Sequence, residues 1–281
     1  MMNSELFFLV PSWYNDPTRI MEEKQMAYFR IDYYSRALRR ETSFEVMIPN
    51  DLREGMPEPE GPMRTLFLLH GYTGKAGNYV PFDLPFKYNF AIVMPSAENS
   101  FYLNGLSTGH AYQTMLGEEL VDYVRKTFHL AERPEDTGIA GLSMGGFGAL
   151  HTGLAYPHTF GKIGAMSSAL IVHEVAGMQP GGGNSVANYD YYRECFGEPS
   201  QLLESDNNPE TLIRKLKAAG EKIPGIYMAC GTEDFLIENN REMHRFLEAE
   251  NVPHEYHEAP GIHDMVFWSE HIQNIVRWMF G

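Results

Sequence analysis

Residues 137–154 read TGIAGLSMGGFGALHTGL: a short apolar run, a glycine-rich turn around Ser143, and a run of small and apolar residues. The turn fits the pattern Gly-x-Ser-x-Gly. Where this pattern joins a buried strand to a helix, it forms a nucleophile elbow, a strained tight turn that presents the serine hydroxyl at the end of the sheet. The sequence therefore predicts a strand at Thr137–Ala140, a helix at Phe147–Leu154, and a reactive serine between them.

The alternative for this stretch is a plain glycine turn around a buried serine. Five residues of this pattern occur by chance in many chains. Here the strand-like run and the helix-like run stand where an elbow requires them, and this context favours the elbow.

Composition limits the partners of the chain. It has 281 residues, of which 43% are hydrophobic, enough for one large globular core. Asp and Glu number 37 against 22 Lys and Arg, which gives a formal net charge of -15. Such a surface repels phosphate backbones and anionic membranes, so neither nucleic acid nor a membrane is an expected partner. A small-molecule substrate is expected, and homo-oligomer formation is left open.

The cysteines and the N-terminal region give little sign of other chemistry. Cys195 and Cys230 are far apart in the sequence, and Cys230 ends an apolar run as a small buried side chain. No Cys or His residues show metal-ligand spacing, so no cofactor or metal is expected. The apolar patch Leu6–Val10 is too short for a secretory signal, and the expected location is cytoplasmic. We expect residues 1–26 to be an N-terminal extension and residues 27–281 a single domain.

The order of predicted elements indicates the fold class. Tyr28–Tyr34 and Phe44–Ile48 alternate apolar and polar residues, which is typical of half-exposed antiparallel strands. Leu66–Leu69 and Ala91–Met94 are continuously apolar, which is typical of central parallel strands, and from there on strand-like segments alternate with helix-like ones. These later strands are expected at 66–69, 91–94, 137–140, 163–167, 225–230 and 254–258, with helices over 111–128 and near 238–250 and 265–279. The prediction is an α/β fold of the α/β-hydrolase type: a central, mostly parallel sheet with helices on both faces and antiparallel first strands. An irregular excursion at about 170–223 is typical of an active-site cover.

A serine nucleophile needs a base, and in this fold the chain order is serine, acid, histidine. His263 follows the last predicted strand and precedes the last helix, which is the position the base requires. His254 and His257 lie inside that strand, where a structural or surface role is expected. His151 lies too far along the elbow helix to meet the serine. We therefore predict His263 as the general base.

The predicted acid is Asp234, which directly follows the strand that ends at Cys230. Glu233 would point to the other side of the turn, and Asp264 cannot easily bend back to the neighbouring imidazole. Asp206 lies in the excursion and would have to reach the imidazole from a mobile loop. The alternative role of Asp234, capping the next helix, does not exclude catalysis.

An oxyanion hole needs two backbone donors. One is expected from Met144, the residue after the nucleophile, and the other from Tyr72 in the loop LHGYTG at 69–74. In that loop His70 is expected to brace the backbone rather than act as a second base. A lysine after a glycine-rich loop, here Lys75, is one feature of a phosphate-binding loop. The glycine spacing and the Ser or Thr of such a loop are missing.

Taken together, these pieces resemble the esterase D/antigen 85 branch of the α/β-hydrolases, and most closely the tributyrin-esterase-like carboxylesterases. The matching pieces are IDYYS at 31–35, LHGYTG at 69–74, VMPS at 93–96, GEEL at 117–120, GLSMGG at 141–146, GTED at 231–234, and HD at 263–264 followed by Phe267 and Trp268. The resemblance spans residues 27–281. It implies a serine esterase for short-chain acyl esters, with acetylated or feruloylated carbohydrates and S-formylglutathione as related substrates.

The aromatic residues Phe101, Tyr102 and Tyr189 are expected to contact the substrate, the alternative being that they pack loops onto the sheet. Three rival functions remain beside the carboxylesterase: a thioesterase for S-formylglutathione, an acyltransferase, and a non-catalytic binding protein. The last is disfavoured because no member of the predicted triad is missing.

Overall fold

Eight strands form one sheet in the computed structural model, which describes residues 26–49 and 61–281. The strands are β1 (Ala27–Ser35), β2 (Arg40–Ile48), β3 (Arg64–Leu69), β4 (Phe90–Pro95), β5 (Thr137–Leu142), β6 (Lys162–Met166), β7 (Gly225–Gly231) and β8 (His254–Ala259). Their order across the sheet is β1-β2-β4-β3-β5-β6-β7-β8. The expected extension, residues 1–26, lies outside the described residues except for Met26.

Strand direction follows the hydrophobic pattern. β1 pairs with β2 and β2 with β4 in antiparallel fashion, while every later pair is parallel. The central strands β3 to β7 are buried along almost their whole length, because helices cover both faces. β1 and β8 are the edges and keep many exposed residues. The predicted fold class is confirmed.

The described helices are α1 (Asp83–Tyr88), α2 (Tyr112–Thr114), α3 (Val121–Phe128), α4 (Met144–Ala155), α5 (Val172–Ala176), α6 (Tyr189–Phe196), α7 (Pro209–Ala219), α8 (Ile237–Ala249) and α9 (Met265–Phe280). A π-helical segment, Met115–Leu120, joins α2 to α3, so the helix expected over 111–128 is continuous but locally widened. Within it, Glu119 accepts hydrogen bonds from Ser35 Oγ at 2.5 Å and from Arg36 N–H at 2.7 Å. This contact joins two of the family-like sequence pieces.

The excursion between β6 and β7 is more regular than the sequence indicated. It contains α5, α6 and α7 and a 3-10 helix at Pro199–Glu204. Asn208 caps α7 by accepting the N–H of Glu210, and Pro209 occupies the first helical position. These are ordinary start signals for a helix, and they outweigh the weak apolar pattern of this region.

The parallel strands bring distant residues to one edge of the sheet. The turns after β5, β6, β7 and β8 all leave from the carboxyl ends of neighbouring strands, and they carry Ser143, Ser167, Asp234 and His263. In sheets of this kind, ligands bind at that edge. Among helices in the described ranges, none combines the length and the apolar character that crossing a membrane requires.

Candidate active site

Ser143 occupies the strained turn between β5 and α4. Its backbone has φ +55° and ψ −120°, a conformation that residues with a side chain rarely adopt. Three backbone hydrogen bonds hold it there: its N–H donates to Met166 O at 2.9 Å, and its carbonyl accepts the N–H groups of Phe147 and Ala169. The turn is therefore held in place by backbone bonds to α4 and to the end of β6 and the residues after it.

The glycines around the serine are required by close backbone contacts. A Cβ on Gly141 would lie 2.2 Å from the carbonyl oxygen of Gly145. A Cβ on Gly145 would lie 2.5 Å from Leu69 O and 2.6 Å from His70 O. Because these neighbours are backbone atoms, they cannot rotate away as a side chain would. The geometry here is that of a nucleophile elbow.

His263 lies beside the serine, in the turn between β8 and α9. Its Nε2 is 2.9 Å from Ser143 Oγ, and its Nδ1 is 2.8 Å from Asp234 Oδ2 and 3.1 Å from Oδ1. A carboxylate can only accept, so Nδ1 carries the proton and Nε2 is left to accept the proton of the serine hydroxyl. The structure thus brings together the three side chains that the sequence pointed to, in an order suited to proton transfer.

The Asp234 carboxylate is kept ionised inside the protein. Its side chain is 0% exposed, and burial by itself acts to raise the pKa. The hydrogen bond and charge of His263, the N–H of Leu236 and the hydroxyl of Ser167 oppose burial and hold the pKa of Asp234 below its ordinary value. Asp234 can therefore orient a neutral imidazole and stabilise a charged one.

The other acidic candidates are engaged elsewhere. Glu233 Oε2 accepts the N–H of Gly261 at 2.7 Å. Asp264 caps α9 by accepting the N–H groups of Val266 and Phe267. Asp206 forms an ion pair with Lys215 in the excursion. None of the three carboxylates is bonded to the His263 imidazole.

The loop that carries the expected oxyanion donors lies against the elbow. A Cβ on Gly71 would be 2.8 Å from Leu142 Cδ1 and 3.5 Å from Ser143 Cβ. Within the described part of the chain, the N–H groups of Tyr72 and Met144 donate to no backbone or side-chain acceptor. Met144 begins α4, where the first N–H groups have no partner inside the helix. Both amides are thus available to a developing negative oxygen.

His70 braces this loop. Its Nε2 accepts the N–H of Ala97 at 3.0 Å, so its Nδ1 carries the proton and donates to Gly71 O at 2.8 Å. Burial lowers the pKa of His70, which keeps the imidazole neutral. Tyr102 adds a further support, because its hydroxyl donates to His70 O at 3.0 Å.

The sequence predicted no role for two residues that support the triad. Trp268 donates its Nε1–H to Ser167 Oγ at 3.0 Å, and its ring stands edge-on to the His263 imidazole, with centroids 4.8 Å apart. Ser167 follows β6 with φ +43° and is fully buried. The pair supports both the base and the acid. The parallel order of β6 and β7 is the signal that could have identified Ser167, since it places their ends side by side.

The three aromatic residues predicted to contact the substrate differ in their exposure to solvent. Phe101 is 3% exposed and Tyr102 is 0% exposed, and both pack in the core near Phe147 or His70. Their burial conflicts with a role in substrate contact and supports the alternative, loop packing. Tyr189 is partly exposed at the start of α6.

A pocket of about 260 Å³ lies between the loop after β4 and α6. Its lining includes Tyr112 and Tyr191 and none of the three predicted residues Phe101, Tyr102 and Tyr189. The ring of Tyr191 also contacts that of Tyr72, with centroids 6.0 Å apart. The excursion is therefore linked to the loop beside the serine.

Comparisons with known proteins show the family and the fold of the chain. The chain matches the family model described as "Putative esterase" over residues 35–279. It is 39% identical over 264 residues to an acetyl esterase of Caldicellulosiruptor saccharolyticus, covering 90% of this chain and 98% of that protein. The structure is similar to that of FphF, a fluorophosphonate-binding serine hydrolase of Staphylococcus aureus, with a TM-score of 0.78, 26% identity, and 91% and 99% of the two chains covered. It is also similar to the S-formylglutathione hydrolase FrmB of Staphylococcus aureus, with a TM-score of 0.76, 26% identity and the same coverage.

Proposed function

This chain belongs to the esterase family, as its motifs indicated, and from that premise we propose that it is a serine carboxylesterase for short-chain acyl esters. The proposed nucleophile is Ser143, the base His263 and the acid Asp234. The hydrogen-bonded series from Ser143 Oγ through the imidazole to the Asp234 carboxylate is the observation that carries the proposal.

In the first half of the reaction, His263 Nε2 takes the hydroxyl proton of Ser143 while Oγ attacks the ester carbonyl. The carbonyl oxygen becomes negative in the tetrahedral intermediate and accepts the N–H groups of Met144 and Tyr72. Asp234 stabilises the imidazolium. His263 then gives the proton to the alcohol oxygen, the bond from carbonyl carbon to that oxygen breaks, and the acyl group stays on Ser143.

In the second half, water takes the place of the alcohol. His263 Nε2 accepts a proton from water as the water oxygen attacks the acyl carbon, and the same amides bind the oxyanion. Collapse of the intermediate returns the proton to Ser143 Oγ and releases the carboxylic acid. Each step uses only side chains, backbone amides and water.

Acetyl esters are the proposed substrates, because the relative at 39% identity is named an acetyl esterase. Thioester hydrolysis is a second candidate, favoured by the likeness to an S-formylglutathione hydrolase. The same triad would serve both reactions. Measuring the hydrolysis rates of p-nitrophenyl acetate and of S-formylglutathione with the same protein preparation shows which of the two reactions is faster.

The test of the proposal compares the wild-type protein with Ser143→Ala in hydrolysis of p-nitrophenyl acetate. We expect the variant to lose at least about a thousandfold in kcat, keeping only the small rate that the oxyanion donors and binding provide. Ser168→Ala is the matched control, because that neighbouring serine is buried and its hydroxyl has no partner among the described residues. A Ser143→Ala variant as active as the wild type would show that the assignment is wrong.

A further inference from the structure

Three large apolar side chains are exposed on the two turns that carry Asp234 and His263 and in the first turn of α9, which follows His263 directly. Phe235 is 73% exposed, Ile262 55% and Val266 64%. Exposed apolar residues scattered singly need no explanation, but a group of them at a functional site indicates a binding surface.

The two turns form one unit. Glu233 N–H donates to Gly261 O at 3.0 Å, and Gly261 N–H donates to Glu233 Oε2 at 2.7 Å. The ring of Phe235 lies 4.6 Å from the His263 imidazole, centroid to centroid, at an angle of 47°. Phe235 is therefore held beside the base by a hydrogen-bonded scaffold rather than placed on a free loop.

The proposed reaction requires the leaving alcohol to lie beside His263. His263 must deliver its proton from Nε2 to the oxygen of the leaving alcohol, so that oxygen lies within hydrogen-bond reach of the imidazole. The rest of the alcohol then extends past the imidazole. A ring 4.6 Å from the imidazole is well placed to contact it.

The charges of this unit disfavour an anionic leaving group. Residues 231–236 and 261–266 contain no Lys or Arg. Two of the unit's carboxylates are engaged by backbone N–H groups, Glu233 by Gly261 and Asp264 by the first turn of α9. An anionic alcohol or thiol would therefore find no Lys or Arg on these turns to pair with its charge, on a chain whose net charge is -15.

We propose that Phe235, with Ile262 and Val266, forms the subsite for the leaving alcohol and that it selects neutral apolar or aromatic alcohols over anionic ones. The inference rests on the proposed function and refines it. It also separates the two candidate substrates, because the leaving thiol of S-formylglutathione carries carboxylates.

The experiment uses two acetyl esters of similar size, methyl 3-acetoxybenzoate, which is neutral, and 3-acetoxybenzoate, which is anionic. For the wild-type protein we expect kcat/KM to favour the neutral ester by at least about tenfold. Phe235→Ala should reduce this ratio at least about threefold, mainly through a higher KM for the neutral ester. Phe235→Lys should bring the ratio close to one or invert it, because it supplies the missing cation.

Tyr34→Ala is the matched control. Tyr34 is an aromatic residue that is 63% exposed on β1, at the opposite edge of the sheet, and its replacement should leave the ratio unchanged. A wild-type preference for the anionic ester, or a ratio that neither Phe235 variant changes, overturns the inference. If instead the wild-type protein hydrolyses neither ester faster than Ser143→Ala, the proposed function itself fails.

Discussion

Replacing Asp234 by asparagine tests the acid of the proposed triad, because it keeps the shape of the side chain and removes its charge. In the structure, Asp234 Oδ1 accepts the N–H of Leu236 at 2.9 Å, and Oδ2 accepts the Nδ1–H of His263 at 2.8 Å. The N–H of Leu236 still needs an acceptor in the variant, so the amide oxygen takes the Oδ1 position and the amide NH₂ faces the imidazole. His263 Nδ1 must then accept, its proton moves to Nε2, and Nε2 can no longer take the proton of Ser143.

The expected magnitude follows from this tautomer change. In serine proteases the equivalent replacement lowers kcat about 10⁴-fold with the geometry intact. The Asp234 side chain is 0% exposed, so solvent does not compensate for the lost carboxylate. We expect kcat/KM to fall by about 10³ to 10⁴, which corresponds to about 4 to 5.5 kcal/mol of lost transition-state stabilisation.

The assay is hydrolysis of p-nitrophenyl acetate by the wild type, Asp234→Asn and Asp264→Asn, with thermal unfolding of each as a check on folding. Asp264→Asn is the matched control, because an asparagine at that position can cap α9 as the aspartate does. We expect it to retain activity within about twofold. Full activity in Asp234→Asn together with a large loss in Asp264→Asn would show that Asp264, and not Asp234, is the acid that orients His263.

Two further predictions concern stability. Burial lowers the pKa of His151 to about 4, so between pH 6.5 and 4 the unfolded chain binds a proton that the folded chain does not. The free energy of unfolding should therefore fall as the pH drops through this window, by about 2 kcal/mol between pH 7 and pH 5. Urea unfolding at the two pH values should show a smaller drop in the free energy of unfolding for His151→Gln than for the wild type. An equal drop in the two proteins would show that His151 is not its source. Gly145→Ala should lower the free energy of unfolding by about 1–3 kcal/mol, because its Cβ would lie 2.5 Å from Leu69 O. Gly77→Ala, whose nearest neighbour is 3.9 Å away, should change it little, and equal melting temperatures for the two glycine variants would count against the close-packed elbow.

The strands and the residues at their ends could be predicted from the sequence because their signals are local. Apolar runs such as 66–69 and 225–230 indicate buried parallel strands wherever they occur. Parallel order then places the residues that follow those strands at one edge, which is why Asp234 and His263 could be selected. The rule is topological and needs no side-chain detail.

Side-chain packing could not be predicted in the same way. Phe101 and Tyr102 follow a central strand, as ligand-contacting residues often do, but their backbone has φ of +52° and +57°. Both side chains are buried in the core. No periodic pattern encodes such a turn. The contact of Trp268 with Ser167 likewise joins residues about 100 positions apart and depends on the packing of α9 on the sheet.

The excursion shows a third limit. Its helices α5 and α6 have only five and eight residues, so periodicity gave little signal, whereas the start signals of α7, Asn208 and Pro209, were present in the sequence. Short helices of this kind are stabilised by tertiary contacts. The loop before α7 is also held to α4, since the Nε2–H of His151 donates to Asp206 O at 2.8 Å.

Reaction with a fluorophosphonate probe, followed by mass mapping of the modified peptide, examines the reactivity of Ser143 in the intact protein. We expect one modified residue, Ser143, with labelling abolished in Ser143→Ala and strongly slowed in His263→Gln, because Nε2 would no longer take the hydroxyl proton. Modification of a different serine, or labelling of Ser143 at the same rate without the imidazole, would show that Ser143 is not a nucleophile activated by His263.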